Sequence, residues 1–221
     1  VAAFLADNGV EFVLTGHMHI QSINKFISES GNELIDICTS CLTGSPAKYR
    51  KITVNENSVM NIKTFDVPDF GADTNGLALQ EFFDEQFKFS ITNRIKNMLS
   101  GGKGFEKHLK KLGKKILCSI TLGGLGRLLW IKVDKPIRLQ KFIDFAGNLG
   151  VKIFAGDQPY VEGTPEYNAV FRTLKRFGFI IKKIEPKLEK DGIKVDLTAM
   201  LLNTIANNKG YSDNNAEIKI K

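Results

Sequence analysis

The spacing of the apolar residues changes once along this chain, and that change limits the fold more than any other feature. Up to about residue 66 the pattern alternates. Ser22 to Glu29 sets Ile23, Lys25 and Ile27 against Asn24, Phe26 and Ser28, and Gly31-Asn32 turns the chain into a second run, Leu34 to Thr39. Lys48 to Val54 and Val59 to Phe65 are two further strands, joined as a hairpin across Asn55-Glu56-Asn57. A period of two suits a strand with one face on a core, because successive side chains point to opposite sides. Glu11 to Thr15 is a shorter apolar strand ahead of these. Val1 to Asp7, closed by Asn8-Gly9, has the look of the last turns of a helix. Nothing ahead of it could cap its start, so the chain is expected to begin inside an element. The strands are expected to form an antiparallel meander, the edge of a sheet with an unpaired side.

Beyond a linker, Pro68 to Gly76, the interval lengthens to that of helices. Phe83, Phe87, Ile91, Ile95 and Met98 or Leu99 form a stripe ending at Gly101-Gly102, and Phe105, Leu109, Leu112 and Ile116 form another, with lysines opposite. Pro136 marks a third helix start, with Leu139, Phe142, Ile143, Ala146 and Leu149 as its buried face and Gly150 as its stop. Thr164-Pro165 opens a fourth helix running through Val170, Leu174 and Phe177 to Gly178, and a fifth covers about Val195 to Asn207. The fold class is therefore α+β, with a strand-rich part over residues 1–67 and an all-α helical bundle over residues 77–221.

Composition narrows the class further. At 221 residues, 43% apolar and 25% charged, the chain can bury a core and is neither disordered nor collagen-like. The longest apolar run, Ile116 to Ile131, is too short for a membrane span and is broken by Gly123, Gly124, Gly126 and Arg127. Three cysteines exclude a disulfide scaffold and fit a reducing compartment such as the cytoplasm. The net charge of +7 is local. Eight of the 31 Lys and Arg lie between Arg94 and Lys115 against one acid, Glu106, and the remainder is neutral. Within that segment Lys103, Lys107, Lys110, Lys111, Lys114 and Lys115 share a broad face of the Phe105 to Ile116 helix. Such a face can attract an anionic partner, or it can simply be solvated. No aromatic or Arg interleaves these lysines, so a nucleic-acid partner is not expected.

The sharpest chemical signal is Thr15-Gly16-His17-Met18-His19, directly after the first strand. Two of the three histidines in the chain stand one residue apart there. A glycine at a strand end allows a tight turn that presents both imidazoles from one rigid point, and neutral imidazole is a good ligand for Zn, Mn or Fe. Other patterns carry less. Cys38 and Cys41 have C-x-x-C spacing but no second pair, and on a strand they would point to opposite faces, so they are expected to be two buried strand thiols. Ser100 to Gly104 and Gly123 to Arg127 lack the strand and spacing of a phosphate loop, and glycines at helix ends account for both. Asp157 is expected in a turn.

Gly16-His17-Met18-His19 after an apolar strand resembles the last metal-binding motif of the calcineurin-like metallophosphoesterases. The continuation Thr39-Ser40-Cys41-Leu42, then Pro46, then Tyr49-Arg50, resembles the strand that comes after this motif in bacterial members, and the helical half is similar to a C-terminal extension of one bacterial branch. The resemblance covers residues 10–66 most specifically. It implies the edge of a β-sandwich fold and a dinuclear centre of two divalent metal ions (Mn, Fe or Zn), with His17 on one ion and His19 on the other. It also implies hydrolysis of small phosphate esters, phosphodiesters foremost, by a metal-bound hydroxide. The family's Asp-x-His, Gly-Asp-x-x-Asp, Gly-Asn-His and further histidine do not occur here, and His108 is the only other histidine. The chain is thus expected to be the C-terminal part of such an enzyme and inactive alone. The rival reading is a helical interaction module that recognises an anionic partner through the Lys103–Lys115 face.

Overall fold

The alternating segments become the strands of two three-stranded sheets in the computed structural model, which describes residues 1–98, 116, 118–156, 160–188 and 212–220. In the first sheet β3 (Glu33–Cys38) is central. On one side β2 (Ser22–Ile27) pairs with it antiparallel, Ile23 opposite Ile37 and Phe26 opposite Leu34. On the other side β1 (Phe12–Thr15) runs parallel to it, Phe12 opposite Ile35. In the second sheet β4 (Lys48–Val54) and β5 (Val59–Asp66) form the expected hairpin. Its turn is held by Asn55, whose side-chain oxygen accepts from the backbone N–H of Asn57 and of Val59, both at 3.0 Å. The outer side of β5 is taken by β6 (Ala216–Lys219).

One apolar core joins the two sheets. Ile23, Ile35 and Ile37 come from the first and Met60 and Ile62 from the second, with Phe12, Ile52, Ala216, Ile218 and Ile220 packed around them. Residues two apart on β3 and on β5 enter it together, as the period of two demands. Each fully buried aliphatic side chain contributes about 1.5–3 kcal/mol, so this core is the main source of stability for the strands.

Two expectations change here. The strands do not form a single antiparallel meander, because the chain leaves the first sheet after β3 and because β1 lies parallel to β3. Residues 77–221 are not all helical, since β6 returns to the strands at the far end. The return is pinned by polar groups as well as by the ladder. Asp213, 1% exposed, accepts from the Ile23 backbone N–H at 2.8 Å. The Arg50 guanidinium donates to the Asp213 carbonyl, and Asn215 accepts from the Thr64 N–H at 3.0 Å. The strand unit accordingly comprises Val1–Phe89, Gly150–Asp157 and Lys209–Lys221.

The same unit includes α1 (Ala2–Asp7) and the first half of α2 (Leu79–Met98). Asp7 ends α1 by accepting from Ser28 Oγ at 2.6 Å and Asn32 Nδ2 at 2.9 Å; these donors, Ser28 first, hold its carboxyl below the ordinary range. Residues 67–78, close to the expected linker, carry no helix or strand. At the start of α2, Gln80 donates to the Ala47 carbonyl at 2.7 Å, and Asp84 accepts from Ser45.

The second unit, Ser90–Leu149 with Gln158–Asn208, is mainly helical where described, with one antiparallel bridge between Thr121 and Lys141. It holds α3 (Leu122–Leu129), most of α4 (Phe142–Ala155) and α5 (Pro165–Leu188). Thr121 caps α3 by accepting from the Gly124 N–H at 3.1 Å. Gly123 lies in the first turn of α3, at a helix end as expected, while Gly126 lies inside the helix, and both are closely packed. A Cβ at 123 would sit 2.2 Å from Arg138 Cγ, and one at 126 would sit 2.6 Å from the Ile131 carbonyl. Pro136 lies in a short 3-10 turn, Lys135–Ile137, and α4 begins only at Phe142. Neither Gly150 nor Gly178 stops its helix. A helical glycine costs only about 1 kcal/mol relative to alanine and ends a helix only where the backbone turns left-handed. That happens at Gly156, φ +78°. Thr164 stands before α5 as expected, its hydroxyl accepting from the Tyr167 N–H at 3.4 Å. Burial against Phe145, then the charge of Glu166, pushes the Tyr160 hydroxyl up to about 12.

The Lys103–Lys115 segment, Ser100 to Gly104, Asp157 and the helix over 195–207 lie outside the described residues. Ile116, placed on the buried stripe by its spacing, is 44% exposed. Among the described residues, no helix is long and apolar enough to cross a membrane.

Candidate metal centre

Strand β1 ends at Thr15, whose hydroxyl donates to Asp36 of β3 at 2.6 Å and so ties the strand end to the middle of the sheet. The next four residues, Gly16 to His19, form a hydrogen-bonded turn in which the His19 N–H donates to the Gly16 carbonyl at 3.1 Å. His17, Met18 and His19 are all exposed. The structure thus brings the two histidines together at one strand end and presents them to solvent.

The conformational demand falls on a different residue from the one the sequence suggests. Gly16 lies outside the left-handed region, and a Cβ there would meet only the Thr39 carbonyl, at an ordinary 3.5 Å. It is His19 that turns left-handed, φ +56°. Histidine tolerates this region better than most residues, though at a cost. The turn survives because the chain is anchored immediately beyond it. Gln21, two residues on, is completely buried, and its side chain accepts from the Ser40 N–H at 3.0 Å and donates to Thr64 Oγ1 at 2.9 Å. Its own N–H donates to the Phe154 carbonyl at 2.9 Å. The histidine turn is therefore held between the end of β1 and a glutamine anchored to both sheets. Gln21 gives no local signal in the sequence, since its partners are Ser40, Thr64 and Phe154.

Two imidazoles on one turn fit part of a metal centre. Among the described residues no group of three or more His, Cys, Asp or Glu comes together to hold an ion. A dinuclear site needs several ligands for each ion, so no hydrolytic step is derived for these residues alone. Cys38 and Cys41 are free thiols, the first buried at the end of β3 and the second half-buried in the loop beyond it.

No family model matches the chain. Over 99 residues it is 29% identical to isopropyl malate dehydrogenase htyC of Aspergillus rugulosus, a stretch covering 40% of this chain and 27% of the dehydrogenase. A likeness of that extent does not define a family for the chain.

Proposed function

We propose that His17 and His19 are two ligands of a dinuclear divalent-metal centre that hydrolyses phosphate esters, phosphodiesters foremost, as in the calcineurin-like metallophosphoesterases. The observation that carries this reading is the histidine turn itself. Two exposed imidazoles leave one strand end, one of them in a left-handed conformation that buried Gln21 fixes from behind. Non-glycine residues held in the left-handed region cluster at functional sites, which supports a ligand at this turn. Under this reading the bridging carboxylate and remaining ligands come from sequence other than these 221 residues. His17 and His19 would hold the ions, which would supply polarisation of the phosphoryl oxygens and activation of water.

The test has a binding arm and an activity arm. Zn2+ or Mn2+ titrated into the chain should bind through the histidine pair, and His17→Ala and His19→Ala should each remove that binding without altering the far-UV circular dichroism. Binding that survives both substitutions would refute the ligand assignment. On a chromogenic phosphodiester with Mn2+, the protein carrying the additional ligands should turn over, and either substitution should abolish turnover. Turnover by these residues alone, lost in His17→Ala, would mean that the site is complete within them and that the division of ligands proposed here is wrong.

A further inference from the structure

The helical unit contains a cavity of about 420 Å³ lined by Arg127, Lys132 and Arg138 together with Gly123, Ile131 and Val133. No acidic side chain lines it among the described residues. Arg138 is placed there by packing, since its Cγ occupies the space beside Gly123 that a Cβ would need. One of its guanidinium nitrogens donates to the Val133 carbonyl at 3.4 Å, which leaves the rest of the fork for a ligand. Asp134, next to Val133 in the chain, accepts from Arg172 at 2.9 Å with one oxygen and from Asn168 at 3.1 Å with the other, and its charge also interacts with that of Lys132. Trp130, the chain's one tryptophan, directly precedes the lining residue Ile131 in the chain. It ends α3 with φ +59° and is 86% exposed; Leu128, two residues earlier, is 64% exposed.

We propose that this cavity binds a phosphate-bearing ligand, with the two guanidinium forks pairing the phosphate oxygens and Lys132 adding a point charge. A guanidinium offers parallel N–H donors at the spacing of phosphate oxygens, which is why two arginines favour that group above a simple anion. Every residue involved belongs to the helical unit, whereas the histidine turn belongs to the strand unit. The phosphate can belong to a soluble ester or to a phospholipid headgroup. In the second case Trp130 and Leu128 sit at the boundary between headgroups and acyl chains.

The single tryptophan makes the experiment direct. The full chain is titrated with glycerol 3-phosphate, and separately with phosphatidylcholine vesicles with and without phosphatidic acid, while Trp130 fluorescence is followed. A saturable change that inorganic phosphate competes away is expected with one of the two probes. A blue shift confined to vesicles containing phosphatidic acid assigns a headgroup, and a response to the soluble ester alone assigns a free ester. The double variant Arg127→Gln/Arg138→Gln should weaken binding at least about tenfold. The control Lys135→Gln/Lys141→Gln removes the same charge from exposed positions outside the cavity and should change it less than about twofold. Arg127→Gln alone gives the same comparison should the double variant fail to fold. No saturable response to either probe overturns the proposal, and so does an equal loss in the control.

Discussion

Two glycines with nearly the same backbone conformation separate steric from conformational cost at the scale of single residues. Gly9 and Gly156 have φ of +82° and +78°, but a Cβ on Gly9 meets nothing within 4 Å, whereas one on Gly156 would lie 2.4 Å from the Gln21 carbonyl. Gly9→Ala should cost about 1 kcal/mol, the penalty for placing an L-side chain in the left-handed region. Gly156→Ala should exceed it by about 2 kcal/mol or more, because it displaces the backbone of a fully buried residue. Urea denaturation measures both, and equal midpoints would show that the Gln21 anchor yields freely. Gln21 supplies its own probe. The Thr64 hydroxyl donates to the Asn214 carbonyl, so toward Gln21 it can only accept. Gln21→Glu should therefore be worse than Gln21→Ala, since it sets an acceptor against an acceptor and buries a charge, while the alanine leaves the Ser40 N–H unsatisfied at about 1–3 kcal/mol.

At the scale of elements, the informative contacts join segments that are remote in sequence. Strand β6 fills the outer side of β5, and Asp213 reaches back to the Ile23 amide. Asp213→Ala should destabilise the strand unit by about 1–3 kcal/mol through that buried amide. Hydrogen exchange should then rise across β2 and β5 together, and a rise confined to residues 212–220 would mean that β6 is only an appendage. In the helical unit, Asp134 joins the 3-10 segment to α5. Arg172, its hydrogen-bonding partner, with help from Asn168, holds its carboxyl below the ordinary 3.8. A lowered folded value means that the unfolded chain takes up protons first as the solution is acidified. The stability advantage of wild type over Asp134→Asn should thus be complete above the ordinary carboxylate value and vanish as pH falls through the lowered one. A gap that persisted below that range would exclude Asp134 as its source.

At the scale of the molecule, the outer edge of β1 is one of the sheet edges that no strand pairs among the described residues. Leu14 on β1 and Met18 in the turn that follows it are exposed at 62% and 63%. A free edge with apolar neighbours is a template for another strand. The chain should therefore associate with rising concentration in sedimentation velocity, and Leu14→Lys should suppress the association by putting a charge on the edge. A wild type that stays monomeric throughout would show that this edge is protected.

Much of the architecture was legible because its causes are local. Alternation in Ser22 to Phe65, the Asn55–Asn57 turn and the Thr164-Pro165 cap each act within a few residues, and each corresponds to an element of the structure. The histidine pair was legible for the same reason, since both imidazoles leave one turn. What the tertiary structure alone decided depends on contacts between distant segments. Ala216, Ile218 and Ile220 do alternate, but four strand residues are too few to identify a strand, and β6 exists because Met60 and Ile62 offer a core and an edge to complete. Gly126 resembled a helix end but lies inside α3, where the Ile131 carbonyl and Val133 leave no room for a Cβ. His19, not Gly16, carries the left-handed turn because buried Gln21, fixed by Ser40 and Thr64, dictates where the chain must go next. Local spacing determines which segments are strands and which are helices, whereas sheet order, register and strain are set by which surfaces can be buried together.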